Sequence, residues 1–229
     1  VLFGTMALVT PFMQNLLGFP IQTAGFLLGS RGVGTLLTMM VAPRLMRLVE
    51  TRYLILLGLL LTGGTLYYFT GFSLDVTQRM IVVASVIQGV GLGLLFVPIT
   101  TAAFLTLPEN LRNGGTSILT LMRNIGSSVG ISMVIANLTD KTTEMHARLV
   151  EQVTPFNNAL HMPDVTAHLD LHSQIGRAML DDIVTRQAAM IAYLNDFKLL
   201  MILTLAMIPL VLIIRTTGSA AGRKPAEAV

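Results

Sequence analysis

MIVVASVIQGVGLGLLFVPITTAAFL, residues 80–105, carries no charged side chain. A helix of about 20 mostly apolar residues crosses the hydrocarbon core of a bilayer, so this stretch is long enough to span a membrane. Further apolar blocks lie at about 1–14, 24–43, 53–70, 114–138 and 197–214, giving six candidate spans. The first is too short to cross, and the chain opens on VLFGTMALVTPF without an initiator Met, which reads as a start inside a truncated helix. No basic region, short apolar stretch and small-residue cleavage site stand there in the order of a signal peptide. The blocks lack the two-residue alternation of barrel strands, and in lipid only helices or closed barrels satisfy their own backbone. The expectation is an all-α membrane protein.

Composition agrees. Hydrophobic residues are 53% of the chain and charged residues 12%, against about 25% charged in soluble domains, too few to coat a soluble globule. A net charge of +3 would suit nucleic acid if the cations formed one soluble patch. Instead Arg44, Arg47, Arg52, Arg112, Arg215, Arg223 and Lys224 stand in short segments beside apolar blocks, so the partner they indicate is the lipid bilayer, with no nucleic acid. Those segments, 44–52, 108–113 and 215–224, alternate with links 15–23 and 71–79, in which Arg79 is the lone cation. The positive-inside rule makes the first set cytoplasmic. Residues 1–138 then hold spans one to five, 139–196 a polar insert on the outer face, 197–214 the last span and 215–229 a cytoplasmic tail.

Within the insert, TDKTTEMHARLVEQV repeats Met145, Leu149 and Val153 at helical spacing, and PFNN ends that helix. A second amphipathic helix over about 172–194 aligns Ile175, Met179, Ile183 and Met190. The insert either caps the outer mouth or meets a partner, or it is a solvated link on the membrane surface.

Gly89 and Gly93 are four residues apart, with Pro98 beyond them, and Gly126 and Gly130 repeat the spacing. Small residues so placed let helix backbones approach, and proline removes a backbone bond and kinks a helix. Plain packing and a bundle that rocks both use these features. GVGLG is no nucleotide loop, since no strand precedes it and no Lys-Ser/Thr follows.

Arg31 and Arg123 lie inside spans, where an arginine costs at least about 2.5–3.5 kcal/mol and normally faces a bundle interior or wet cavity. For Arg31, structural pairing with backbone is an equal reading; Arg123 reads as cavity-facing. Glu50, Asp75, Glu109, Asp140 and Asp196 fall in links or at span ends, so no carboxylate reads as a mid-membrane proton carrier. His146, His161, His168 and His172 all fall in the insert without an HExxH setting, which gives no metal site. No cysteine nucleophile, GxSxG or buried carboxylate pair indicates a catalytic residue, and no cofactor motif is present.

The runs SRGVGTLLTMMVAPRLMRLVETRYLILLG, IQGVGLGLLFVPITTAAFLTLPENLRNGGTSILTLMRNIGSSVGIS and HARLVEQVTPFNN, in this order, resemble the C-terminal half of the EmrB/QacA group of the major facilitator superfamily, the 14-helix drug:proton antiporters. In GLLFVPITTAAFLTLPENLRNGG the likeness is to a kinked helix ending at a cytoplasmic Leu-Pro-x-x-x-Arg turn. LMRNIGSSVG resembles the next helix, with Arg123 at its arginine, and Gln14 stands at the glutamine of the family's Leu-Gln dipeptide. Met46 departs from the superfamily's Gly-x-x-x-Asp-Arg loop, where an aspartate would stand.

The resemblance implies a six-helix C-terminal bundle of a multi-pass bacterial inner-membrane transporter, packed against a missing N-terminal half that holds the membrane carboxylates. It implies exchange of protons for amphipathic toxic compounds by alternating access, in one branch with a periplasmic adaptor and an outer-membrane channel. Arg123, Arg31, Gln14 and Gln88 become substrate-cavity candidates, with Met39, Met40 and Met122 as soft walls. A narrow-substrate metabolite or lipid exporter and a non-transporting membrane scaffold or sensor are the alternatives.

Overall fold

The computed structural model describes residues 2–74, 76–104, 107–153 and 173–213. Asp75, PFNN at 155–158, His161, His168, His172 and the tail 215–229 lie outside the described residues. The described chain is helical, with no strand. Its helices are α1 (Leu2–Pro11), α2 (Ile21–Leu48), α3 (Thr51–Thr70), α4 (Gln78–Phe104), α5 (Arg112–Gln152) and α6 (Gln174–Ile213). All but α1 are long and apolar enough to cross a membrane.

Each long helix exceeds the apolar block that marks it, because hydropathy registers the part suited to hydrocarbon while the backbone ladder continues into polar sequence. The arginine-bearing link 44–52 therefore shrinks to Val49 and Glu50 between α2 and α3, leaving Arg47 in the last turn of α2. There a cation complements the helix carbonyl end. α1 behaves differently: after Pro11, which donates no backbone bond, the chain widens into a π-helical turn at Phe12–Leu16. The Leu17 N–H donates to the Phe12 carbonyl at 3.1 Å and that of Phe19 to Met13 at 2.9 Å. Gly18, at φ 68°, supplies the left-handed residue that closes this end.

α5 and α6 change the picture of the insert. Residues 139–152 continue α5 without a break, and 174–196 belong to the same helix as the last span. The two extensions pack together, with His146 and Asp181 in contact at 3.1 Å across them. Lys141 and Arg148 hold Glu144 at 2.6 and 2.7 Å. Ile175, Met179 and Ile183 are exposed, whereas Gly176, Val184, Ala188 and Met190 are buried. The packed row of α6 is thus offset from the more apolar one, because small residues admit closer approach.

α4 packs on α2 and α3, α3 and α5 pack on α6, and α1 packs on α5. Lipid tails are as apolar as leucine, so close van der Waals packing carries much of helix association. Glycine supplies it here. A methyl at Gly89 would collide with the Arg31 carbonyl, and one at Gly34 with that of Val86. On the other side of α4, methyls at Gly91 and Gly58 would sit 2.7 Å from Thr62 Oγ1 and 2.8 Å from the Gly91 carbonyl. At the end where α1 and α3 finish, Phe12, Phe69, Tyr193 and Phe197 interlock, with Phe12 5.4 Å from Tyr193 and 5.9 Å from Phe197 between ring centres. Edge-to-face pairs add about 0.5–1.5 kcal/mol each beyond the area they bury.

Gly126 and Gly130 have the spacing of Gly89 and Gly93 but no such neighbours: a methyl at either meets nothing within 4 Å. Val134 is the buried residue of α5, so most of that helix faces outward. Gly89→Ala should therefore destabilise the protein by about 1–3 kcal/mol through overpacking, and Gly126→Ala should be neutral or stabilise by up to about 1 kcal/mol, since alanine is the better helix former. Apparent unfolding temperatures of the two variants in detergent check this, and equal losses would refute the packing difference.

Candidate functional site

Where α1, α2, α4 and α5 face one another, a cavity of about 450 Å³ opens, lined by Phe3, Thr35, Met39, Phe96, Arg123 and Ser127 among others. Two features of the sequence keep it open. Gly126 and Gly130 of α5 also line it, and a methyl at either would meet nothing within 4 Å, so two successive turns present no side chain to the space. Thr35 spends its hydroxyl on its own helix and on α4, 3.0 Å from the Arg31 carbonyl and 3.1 Å from that of Gly89. The wall is consequently apolar and the cation distinct.

That cation is Arg123. Its guanidinium carbon lies 4.4 Å from the centre of the Phe96 ring. A guanidinium over an aromatic face gains from about 0.5–1 kcal/mol when exposed to about 2 kcal/mol when desolvated. The contact fixes the long side chain against the cavity wall without neutralising it, and no carboxylate is among the lining residues. An arginine fixed this way holds its N–H donors ready for an anionic or polar group. Phe96, Met39 and the neighbouring aliphatic side chains suit an apolar body beside that group.

The other candidates lie elsewhere. Arg31 is only 2% exposed and does not line the cavity; its Nη2 donates to Oε1 of Gln88, itself buried. Nε and Nη1 of Arg31 and Oγ of Ser85 have no hydrogen-bond partner among the described residues. This pair is sealed between α2 and α4, close to where Gly89 lets the two backbones meet. Gln14 is half-buried in the π-helical turn, among residues of the aromatic end. A methyl at Gly93 would sit 2.7 Å from Thr38 Cβ, and Pro98 is buried within α4, which continues to Phe104. Met40 and Met122 are exposed, away from the cavity.

Two residues escaped the sequence reading. Phe96 carried no mark as the partner of Arg123, because their meeting depends on the rotation of α4 against α5. Asp196 reads from the sequence as a span-end residue, yet it is fully buried within α6 and accepts a hydrogen bond from Asn137 of α5. The signal present was a polar residue at each edge of the insert, Asn137 in the last turn of the fifth span and Asp196 immediately before the last.

The sequence model of the Major Facilitator Superfamily matches residues 1–141, and the chain belongs to that superfamily of membrane transporters. It is 29% identical over 161 residues to the uncharacterized MFS-type transporter YhcA of Bacillus subtilis, covering 70% of this chain and 30% of the relative. It is 25% identical over 217 residues to the fatty acid resistance protein FarB of Neisseria gonorrhoeae, covering 92% and 42%. To the multidrug export protein EmrB of Escherichia coli K12 it is 23% identical over 193 residues, covering 83% and 38%. The chain thus spans between 30% and 42% of the length of these relatives.

The Arg31–Gln88 pair yields a thermal test. Gln88→Leu strips a buried guanidinium of its described partner and should cost about 1.5–3 kcal/mol, the worth of a hydrogen bond to a charged group. Adding Arg31→Met should restore much of that loss. Unfolding temperatures of the single and double variants form the cycle, and a double variant weaker than Gln88→Leu would contradict the pairing.

Proposed function

We propose that the chain forms the C-terminal six-helix bundle of a proton-coupled multidrug exporter that moves amphipathic toxic compounds by alternating access. The observation that carries this reading is the cavity in which Arg123 lies across Phe96 among apolar walls and small residues. One charged group in a soft apolar space favours molecules with a polar head and variable apolar body, a looser requirement than a fully hydrogen-bonded site imposes. The open face of α5 supports the rest of the proposal. Ile118, Leu121, Ile125 and Val129 are all at least half exposed, on a helix that also lines the cavity. A preceding N-terminal bundle would cover that face and complete the substrate site between two repeats. The likeness to EmrB supports the export of drugs in particular.

In this reading the protein is multi-pass in a bacterial inner membrane, the arginine-rich link and the C-terminus are cytoplasmic, and the extended α5–α6 pair projects outward. A periplasmic adaptor and an outer-membrane channel are the further partners proposed for it. A narrow-substrate exporter of anionic lipids is the second reading. It is favoured by a cavity arginine with no carboxylate beside it and by the likeness to a protein named for fatty acid resistance.

Energised cells carrying the full-length transporter, loaded with a cationic dye or with a medium-chain fatty acid, test both. Arg123→Ala at matched membrane abundance should lower export about tenfold, the equivalent of roughly 1.4 kcal/mol. Phe96→Leu should lower it by a smaller factor. Loss confined to the fatty acid selects the second reading, and export of both compounds at wild-type rates would remove Arg123 from the transport path.

A further inference from the structure

Asp196 has no exposed surface. Asn137 of α5 donates its side-chain N–H to Oδ1, and Oδ2 has no hydrogen-bond partner among the described residues. The surroundings offer it no cation. On its own helix the near titratable group is Tyr193, one turn away and buried. Lys198 and Asn195 of α6 are exposed. α5 brings Asn137 with Val134 and Leu138, while Lys141, one turn further, is held by Glu144 at 2.6 Å. α1 and its π-helical turn carry no ionisable side chain, and Phe12 packs there on Tyr193 and Phe197. α3 contributes Leu66 and Phe69, its Tyr67 and Tyr68 being exposed. Arg186 of α6 is turned away to the Leu16 carbonyl at 3.0 Å.

A buried ion without a partner costs several kcal/mol even after relaxation. A lone carboxyl in such a place escapes that cost by taking up a proton. A metal cation would need more oxygen ligands than one carboxylate and one amide supply, and no metal-binding cluster occurs among the described residues.

We propose that Asp196 is a proton-binding site of this bundle, occupied in the conformation seen here, with the proton on Oδ2 and Oδ1 accepting from Asn137. Its role rests on the proton-coupled reading; its protonation does not. Asn137 shares a helix with Arg123, Gly126, Ser127 and Gly130, which line the cavity. Loss of the proton leaves a buried anion with one amide partner, a state that costs several kcal/mol. That cost favours opening of the α5–α6 junction to water or to a cation, with α5 moving relative to the cavity. The half that holds the cavity arginine thus has its own proton-sensitive joint, on the same face of α5 as the cavity-lining row and about two turns beyond Gly130.

Infrared difference spectra between acid and alkaline pH, taken on the full-length protein in lipid, decide the point. Wild type should show the carbonyl band of a protonated carboxylic acid that Asp196→Asn lacks and Asp196→Glu shifts. A spectrum unchanged by Asp196→Asn overturns the proposal. Dye export by the same proteins tests the role, since Asp196→Asn should flatten its dependence on external pH. Retention of the wild-type pH profile by that variant overturns the coupling. Wild type that shows the band and exports nothing keeps Asp196 as a proton site and defeats the multidrug reading instead.

Discussion

The approach of α2 to α4 is the constraint on which the rest of the bundle depends. In lipid, helices gain little by hiding apolar surface from one another, so the stability of a pair comes from how near the backbones lie. Gly34 and Gly89 let these two come within reach of each other's carbonyls, and Gly91 and Gly58 do the same for α4 and α3. α4 is thereby held on two sides, and its remaining side presents Phe96 to the cavity. Threonine hydroxyls that would otherwise lack partners bond back to their own helices, Thr38 to Gly34 at 2.8 Å and Thr62 to Gly58 at 2.8 Å. Dense packing and polar satisfaction therefore occur at the same contacts.

The cavity is a consequence of where that density stops. α5 packs on α6 and α1 but carries glycines toward α2 and α4 without bringing its backbone close to them. The same four-residue spacing of glycines therefore has two outcomes in one chain. Beside Arg31 and Thr38 it closes a helix pair; beside Arg123 it leaves room. Spacing alone cannot distinguish them, because the difference lies in what the facing helix offers.

Much of the architecture was legible in the sequence because hydrocarbon imposes a length and a composition that few other environments share. The apolar blocks at 53–70 and 80–105 fall almost wholly within α3 and α4. The insert was harder to read. TDKTTEMHARLVEQV has a helical repeat of its own, and nothing in it tells that the helix begins at Arg112, since polarity marks the water boundary and not a break in the backbone. The cavity wall was legible as residue types, in Arg123, Gly126 and Met39, but not as a set. Phe96 and Asp196 became visible only when helix rotation brought each to its partner.

Arg31, Arg123 and Asp196 lie within the helices, and each meets the desolvation cost differently. Arg31 is enclosed with one amide partner, and its charge is fixed because a guanidinium does not give up its proton near neutral pH. Arg123 keeps an open side and rests on an aromatic face, so its charge stays available to whatever enters the cavity. Asp196 is enclosed with one amide partner like Arg31, but a carboxyl can become neutral. Of the two sealed groups, only the acid can change state while the bundle remains folded, which places the variable charge at the α5–α6 joint and the constant one at the α2–α4 contact. A transporter that must move one part of itself against another gains from that division, because the contact that sets its shape does not depend on pH.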